Sequence, residues 1–226
     1  QSIVNPRLFE LDVNQLKQSL TNAPKRFTSN AQSNVIVSFP NADGGIERFR
    51  IKESSNMDPA LAARYSDIKS YIGQGFDNPA STIYISLSPL GLQTMVIKAD
   101  QSAEFIEPYT TDLSSYTVYR KSDKAASLDR FECKVIDAVH AEVAEVAARP
   151  NADDALLRTY RLAMSVTGEY TVYFGGTKAL ALAAINNTMT RVNGVFEKDF
   201  GARMVLIANT DTVIYTSAST DPYSAA

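Results

Sequence analysis

The chain has 226 residues, 45% hydrophobic and 21% charged, which is the composition of a folded protein with length for one large domain or two small ones. A net charge of −3 argues against nucleic acid or an anionic membrane as an electrostatic partner, and no apolar run approaches the roughly 18–20 residues of a membrane span. The one cysteine forbids an internal disulfide framework, and the opening QSIVNP lacks the basic start and apolar core of a signal peptide.

In chain order, residues 7–12 (RLFELD) alternate like a short strand. Asp12 or Asn14 then caps a short helix to about Leu20, with Leu16 and Leu20 on one face. Asn22-Ala23-Pro24 ends it, and residues 25–33 are polar enough for a loop. Residues 34–39 and 46–51 flank PNADGG, a glycine-bearing hairpin connection. Ile46, Phe49 and Ile51 are expected inside, but Ile46 is out of phase and predicts a bulge. Arg48, Arg50 and Lys52 point the other way, as a solvated stripe.

Asp58-Pro59 opens a short helix ending near residues 63–65, since proline suits the first helical position. Residues 68–72 read as a strand that Gly73-Gln74-Gly75 ends. Residues 82–87 and 92–97 alternate around SPLG as a second hairpin, and 103–106 and 116–119 complete a meander of short strands. No internal repeat is present.

Character changes at residues 124–154. AEVAEVAA at 141–148 is rich in alanine and glutamate, and RPNADD at 149–154 is a polar breaker open to proteolytic nicking. This divides the chain into a β-rich part at 1–130, a linker at 131–156 and a strand-helix-strand unit at 157–226. In the last, residues 160–166 form a strand and Thr167-Gly168-Glu169 punctuates it. A long helix follows Gly175-Gly176 with Thr177 as its cap, and Leu180, Ala181, Ala184, Ile185, Thr188, Met189, Val192 and Val195 share helical spacing. Asp199-Phe200-Gly201 breaks it, and 204–208 is an apolar run suited to a buried strand. The fold class is therefore α+β: an antiparallel meander followed by a partial α/β unit whose helix and last strand are expected to carry uncovered apolar surface.

YRLAMSVTGEYTVYFGGT and AAINNTMTRVNGVFEKDFGARMVLIAN resemble the opening of the catalytic domain of secreted, reprolysin-like zinc metallopeptidases of the metzincin clan, most closely those of the Bacteroidetes type. RLFELDVNQLKQSL, SNVIVSFPNADGGIERFRIKES, DIKSYIGQG and FIEPYTTDLSSYTVYRKSD are similar to that family's N-terminal pro-region. The resemblance implies a zymogen whose pro-region assists folding and inhibits. It also implies a secreted location, protein substrates, and zinc that polarises the scissile carbonyl and activates water. The family's HExxHxxGxxH zinc motif is absent, since the chain has one histidine, His140. As given, the polypeptide is expected to be inactive, its partner being a catalytic half beyond Ala226. The alternative is a stand-alone β-rich inhibitor, chaperone or cell-surface binding module with no catalytic role.

Few residues carry candidate chemistry. Cys133, between the two parts, reads as a switch thiolate on a catalytic zinc, as a buried apolar cysteine, or as half of a disulfide. His140 with Glu142 and Glu145 lacks a second histidine to complete a metal set and reads as a linker residue. Glu169 reads as a loop carboxylate, and Gly175-Gly176 is not a phosphate loop because no Walker or dinucleotide pattern accompanies it. Asn186, Asn187 and Asn193 invite a recognition reading, and Asn186-Asn187-Thr188 matches a glycosylation sequon that a helical setting disfavours.

Overall fold

A computed structural model describes residue 3 and residues 6–28, 32–124 and 156–223. Cys133, His140, Glu142, Glu145 and nearly all of the linker expected at 131–156 lie outside the described residues.

Period-two alternation in the first part becomes an antiparallel sheet. In order come β1 (Arg7–Glu10), α1 (Val13–Leu20), β2 (Ile36–Pro40), β3 (Ile46–Glu53), α2 (Pro59–Arg64), β4 (Lys69–Gly75), β5 (Thr82–Ser88), β6 (Gly91–Ile97), β7 (Ala103–Pro108) and β8 (Ser115–Arg120). The sheet has eight strands in the order β1-β8-β7-β6-β5-β4-β3-β2, so the first strand pairs with the last. Ile51, Ile83, Ile85, Leu92 and Val118 fill one face, and α1 closes over it with Leu16 and Leu20. Asp12 caps α1 by accepting from the backbone of Asn14 at 2.9 Å and Gln15 at 3.0 Å. The sheet curls: the β2–β3 turn reaches β7 and β8, where Ala42 N–H donates to Glu104 at 3.2 Å and Asp43 pairs with Arg120.

Two expectations in this part fail. Ile46 lies opposite Pro40 in unbroken register and is 62% exposed, so β3 has no bulge; alternation simply turns Ile46 to the outer face. Nor do the glycines end β4, which runs through them to Gly75. Gly73 faces inward where a Cβ would stand 2.5 Å from Ile51 Cδ1 and 2.8 Å from Ile83 Cγ2, so it is required by packing rather than by a turn.

The second part contains β9 (Arg158–Leu162), α3 (Gly168–Tyr173), α4 (Lys178–Phe200) and β10 (Ala202–Leu206). β9 and β10 pair in parallel, from Ala202 opposite Arg158 to Leu206 opposite Leu162. Thr177 caps α4 by accepting from Leu180 N–H at 3.2 Å, and Gly201 ends it in the left-handed region at φ +59°. β9 starts and ends earlier than its apolar run implies, because Val166 leaves it to bridge Ile214. α3, over what reads as punctuation, is unforeseen. Its aromatic and β-branched residues are weak helix formers, and tertiary contacts hold them, Thr171 Oγ1 donating to the Tyr215 carbonyl at 2.5 Å.

The apolar surface expected to lie open on α4 and β10 is instead largely covered. Leu182, Ile185, Met189 and Leu206 form a second core with Met57, Leu61 and Ile68 from the β-rich part. The exposed apolar groups that remain include Phe200 (69%) and Val195 (39%) towards the end of α4, with Tyr173 83% and Val172 62% exposed on α3.

The Gly73 contacts yield a mutational expectation. Gly73→Val should overpack the inner face and cost about 1–3 kcal/mol. Thermal unfolding should register this as a lower Tm by several degrees, and an unchanged Tm would show that the face has slack.

Candidate functional site

The polar chemistry of the described residues concentrates where α4 crosses the outer face of the sheet. Successive turns of α4 present Asn186, Thr190 and Asn193, all buried. Opposite them stand Ser70 on β4, Ser86 on β5, and Asn56 in the segment leading into α2. Asn186 Nδ2 donates to Ser86 Oγ at 3.1 Å while its Oδ1 accepts from Ser70 Oγ at 2.9 Å. Asn56 Nδ2 donates to Thr190 Oγ1 at 2.8 Å and to Ser70 Oγ at 3.1 Å, and its Oδ1 accepts from Asn193 Nδ2 at 3.0 Å. Asn193 also joins helix to strand: its Nδ2 donates to the Met204 carbonyl and its Oδ1 accepts from Met204 N–H, both at 2.8 Å. The amide stands in for a neighbouring strand along that stretch of β10.

Small residues permit this approach. A Cβ on Gly194 would lie 2.8 Å from Met95 Cε and 3.1 Å from the Tyr84 ring. Glycine costs a helix interior about 1 kcal/mol relative to alanine, a cost consistent with a helix that must lie close to a sheet. Beside the network, the backbone of residues 56–58 extends the small sheet: Leu206 N–H donates to the Asn56 carbonyl and Asp58 N–H to the Leu206 carbonyl, both at 2.8 Å. The β-rich part thus contributes hydrogen bonds to the edge of β10 that β9 leaves free.

Charges frame the junction. Arg191 Nη2 reaches Glu107 Oε1 at 2.6 Å on β7, and Arg26 Nη1 reaches Glu197 Oε2 at 2.6 Å. Arg203 lies 3.8 Å from Glu197 and donates to the Ser55 carbonyl at 2.7 Å. Phe27 has both the Arg26 and Arg203 guanidinium groups against its ring, at 4.9 and 4.6 Å from the centroid. Burial lowers the Arg203 pKa despite the nearby Glu197, and burial with the Glu197 charge pushes the Tyr84 phenol up to about 12.

The remaining candidates are placed plainly. Glu169 is an exposed carboxylate in the first turn of α3, whereas the buried Asp221 carboxylate accepts from Gly168 N–H at 2.8 Å. Asn186 is fully buried, which removes it as a glycan acceptor, and Asn187 is not in the network. The Arg48 stripe is more engaged than a solvated face: Arg48 pairs with Asp77 at 2.5 Å and Arg50 donates to the Ser33 carbonyl at 2.5 Å. Arg50 and Lys52 line an open groove of about 500 Å³. Among the described residues no group of three or more His, Cys, Asp or Glu side chains converges as metal ligands. The network itself was hidden in the sequence, because Ser70 and Ser86 read as ordinary strand residues. The one available signal was the Asn186, Thr190, Asn193 spacing along a single helix face.

Two expectations follow from this geometry. Asn56→Ala should leave buried partners short of hydrogen bonds and cost about 1–3 kcal/mol, while Asn187→Ala should be nearly neutral; urea unfolding of both variants, with equal midpoints, would remove Asn56 from this role. Burial raises the Glu107 pKa, but the Arg191 hydrogen bond and charge, with smaller help from Tyr119 and Lys124, outweigh it and leave the carboxyl below its ordinary 4.5. Stability from a carboxyl depressed on folding is present above the unfolded value and lost as pH falls through the folded one. Glu107→Gln should therefore flatten the loss of stability below about pH 4.5, read from urea midpoints on acidification.

No curated protein sequence matches the chain. Residues 157–226 match the model of the reprolysin-like metallopeptidases of family M12B, a generally zinc-dependent family, over a stretch that takes in β9, α3, α4 and β10. That stretch is metallopeptidase-related.

Proposed function

We propose that residues 157–226 are the opening of the catalytic domain of a secreted zinc-dependent endopeptidase, and that the β-rich part is its pro-region, assisting folding and holding the enzyme latent. The observation that carries the catalytic half of this reading is the reprolysin-like match over those residues. Support for the pro-region half comes from the junction, where Asn56, Ser70 and Ser86 satisfy polar groups of α4 that lie within the matched stretch. A helix face carrying two buried asparagines and a threonine is poorly suited to an apolar core of its own, so a partner with matching donors and acceptors has a clear role during folding. Zinc belongs to the complete enzyme in this reading, and residues 1–226 alone are inactive. Cys133, outside the described residues, is the candidate thiolate that would occupy the zinc before activation.

The test is made on the longest product of the gene. A downstream HExxHxxGxxH with chelator-sensitive peptide hydrolysis after removal of the β-rich part is the expected outcome. A stop codon directly after this chain, or turnover by purified residues 1–226 that chelator abolishes and zinc restores, would sink the reading. In the same precursor, Cys133→Ser should give activity before any cleavage; a variant as latent as the parent would return Cys133 to a structural role.

A further inference from the structure

The junction has the anatomy of a stable protein–protein interface although it lies within one chain. Its centre is apolar, with Met57, Leu61 and Ile68 packed on Leu182, Ile185 and Leu206, of which Leu61, Leu182, Ile185 and Leu206 have no exposed surface. Around that centre run the directional contacts: the Asn56 amide on Thr190 and Asn193, and the two backbone hydrogen bonds between residues 56–58 and Leu206. The rim is charged, with Arg191 on Glu107 and Arg26 on Glu197. Apolar centre, satisfied polar groups and charged rim are the arrangement of complexes that persist without a tether. Covalently, the two sides are joined only through residues 125–155.

We infer that cutting the connection at 125–155 does not separate the two parts: the β-rich part remains bound as a non-covalent subunit against α4 and β10. Peptide cleavage removes the covalent tether and the effective concentration that it supplies. It leaves in place every contact named above. Release therefore needs a second event that opens the junction itself. This conclusion rests on the contacts and stands whether or not the chain belongs to a peptidase. Applied to the peptidase reading, it means that nicking the connection alone leaves α4 covered.

The experiment uses the full 226-residue chain with a site-specific protease sequence placed within residues 125–155. After complete cutting, the two pieces are run on a native sizing column at concentrations down to about 1 µM. Co-elution in a single peak at the size of the uncut chain is expected. Elution as separate or aggregated pieces overturns the inference, whatever the outcome of any peptidase assay. A second measurement locates the surface. Glu107→Arg sets a cation against Arg191 and should weaken the affinity of the cut pieces roughly tenfold or more. If that chain fails to fold before cutting, Arg191→Ala takes its place from the helix side. Affinity unchanged by both substitutions would show that the described junction is not what holds the pieces together.

Discussion

An amide taken out of water without a partner is costly, and three buried residues at the helix–sheet junction raise that cost at one place: Asn56, Asn186 and Asn193. Each is satisfied only when a specific set of elements has come together. Asn186 needs β4 and β5, Asn193 needs β10 and the segment before α2, and Asn56 needs two turns of α4. Apolar surface tolerates many orientations, but amides of this kind tolerate few. The position of α4 on the sheet, and through it that of β10, depends on this one network.

The charges at the junction have a narrower part. Glu197 and Arg203 are almost fully withdrawn from solvent, and the desolvation of such a pair consumes much of what its attraction returns. The burial that lowers the Arg203 pKa is the same penalty seen from the other side. The cluster around Phe27 therefore discriminates against misplacement of the loop at residues 25–28 more than it stabilises the fold. Arg191 and Glu107 are each about one-quarter exposed, so their pairing is weaker per contact but still selects one placement of α4 against β7.

Together these features make the outer face of the antiparallel sheet a receiving surface rather than a solvated back. Its inner face is filled by its own residues and by α1, so the β-rich part has a core without α4. The strand-helix-strand unit differs: its core is completed by Met57, Leu61 and Ile68 from the other side of the junction. That asymmetry matches a division of labour in which one part is self-supporting and the other, the stretch that matches the metallopeptidase model, is supported.

Alternation and spacing by themselves determined the meander, the cap at Thr177, the choice of Asp12 or Asn14 to cap α1, the break at 199–201 and a last strand expected at 204–208 that forms at Ala202–Leu206, because each depends on neighbours a few residues away. The zinc-family likeness of 157–226 was legible in the same local strings. Tertiary structure alone decided what those elements lie against. Nothing near Gly73 announces that two isoleucines from adjacent strands will close over it, and α3 is made helical by the chain returning at Tyr215 rather than by its own residues. Ser70, Ser86 and Asn56 acquire their roles from helix residues 100 to 134 positions away, where no local pattern can foretell them. Helical spacing marked Ala181, Ala184, Ile185 and Met189, four of the ten buried residues of α4, because the helix is covered from two sides. A periodicity reports which residues share a face, and only the partner decides whether the face that carries Asn186, Thr190 and Asn193 meets water.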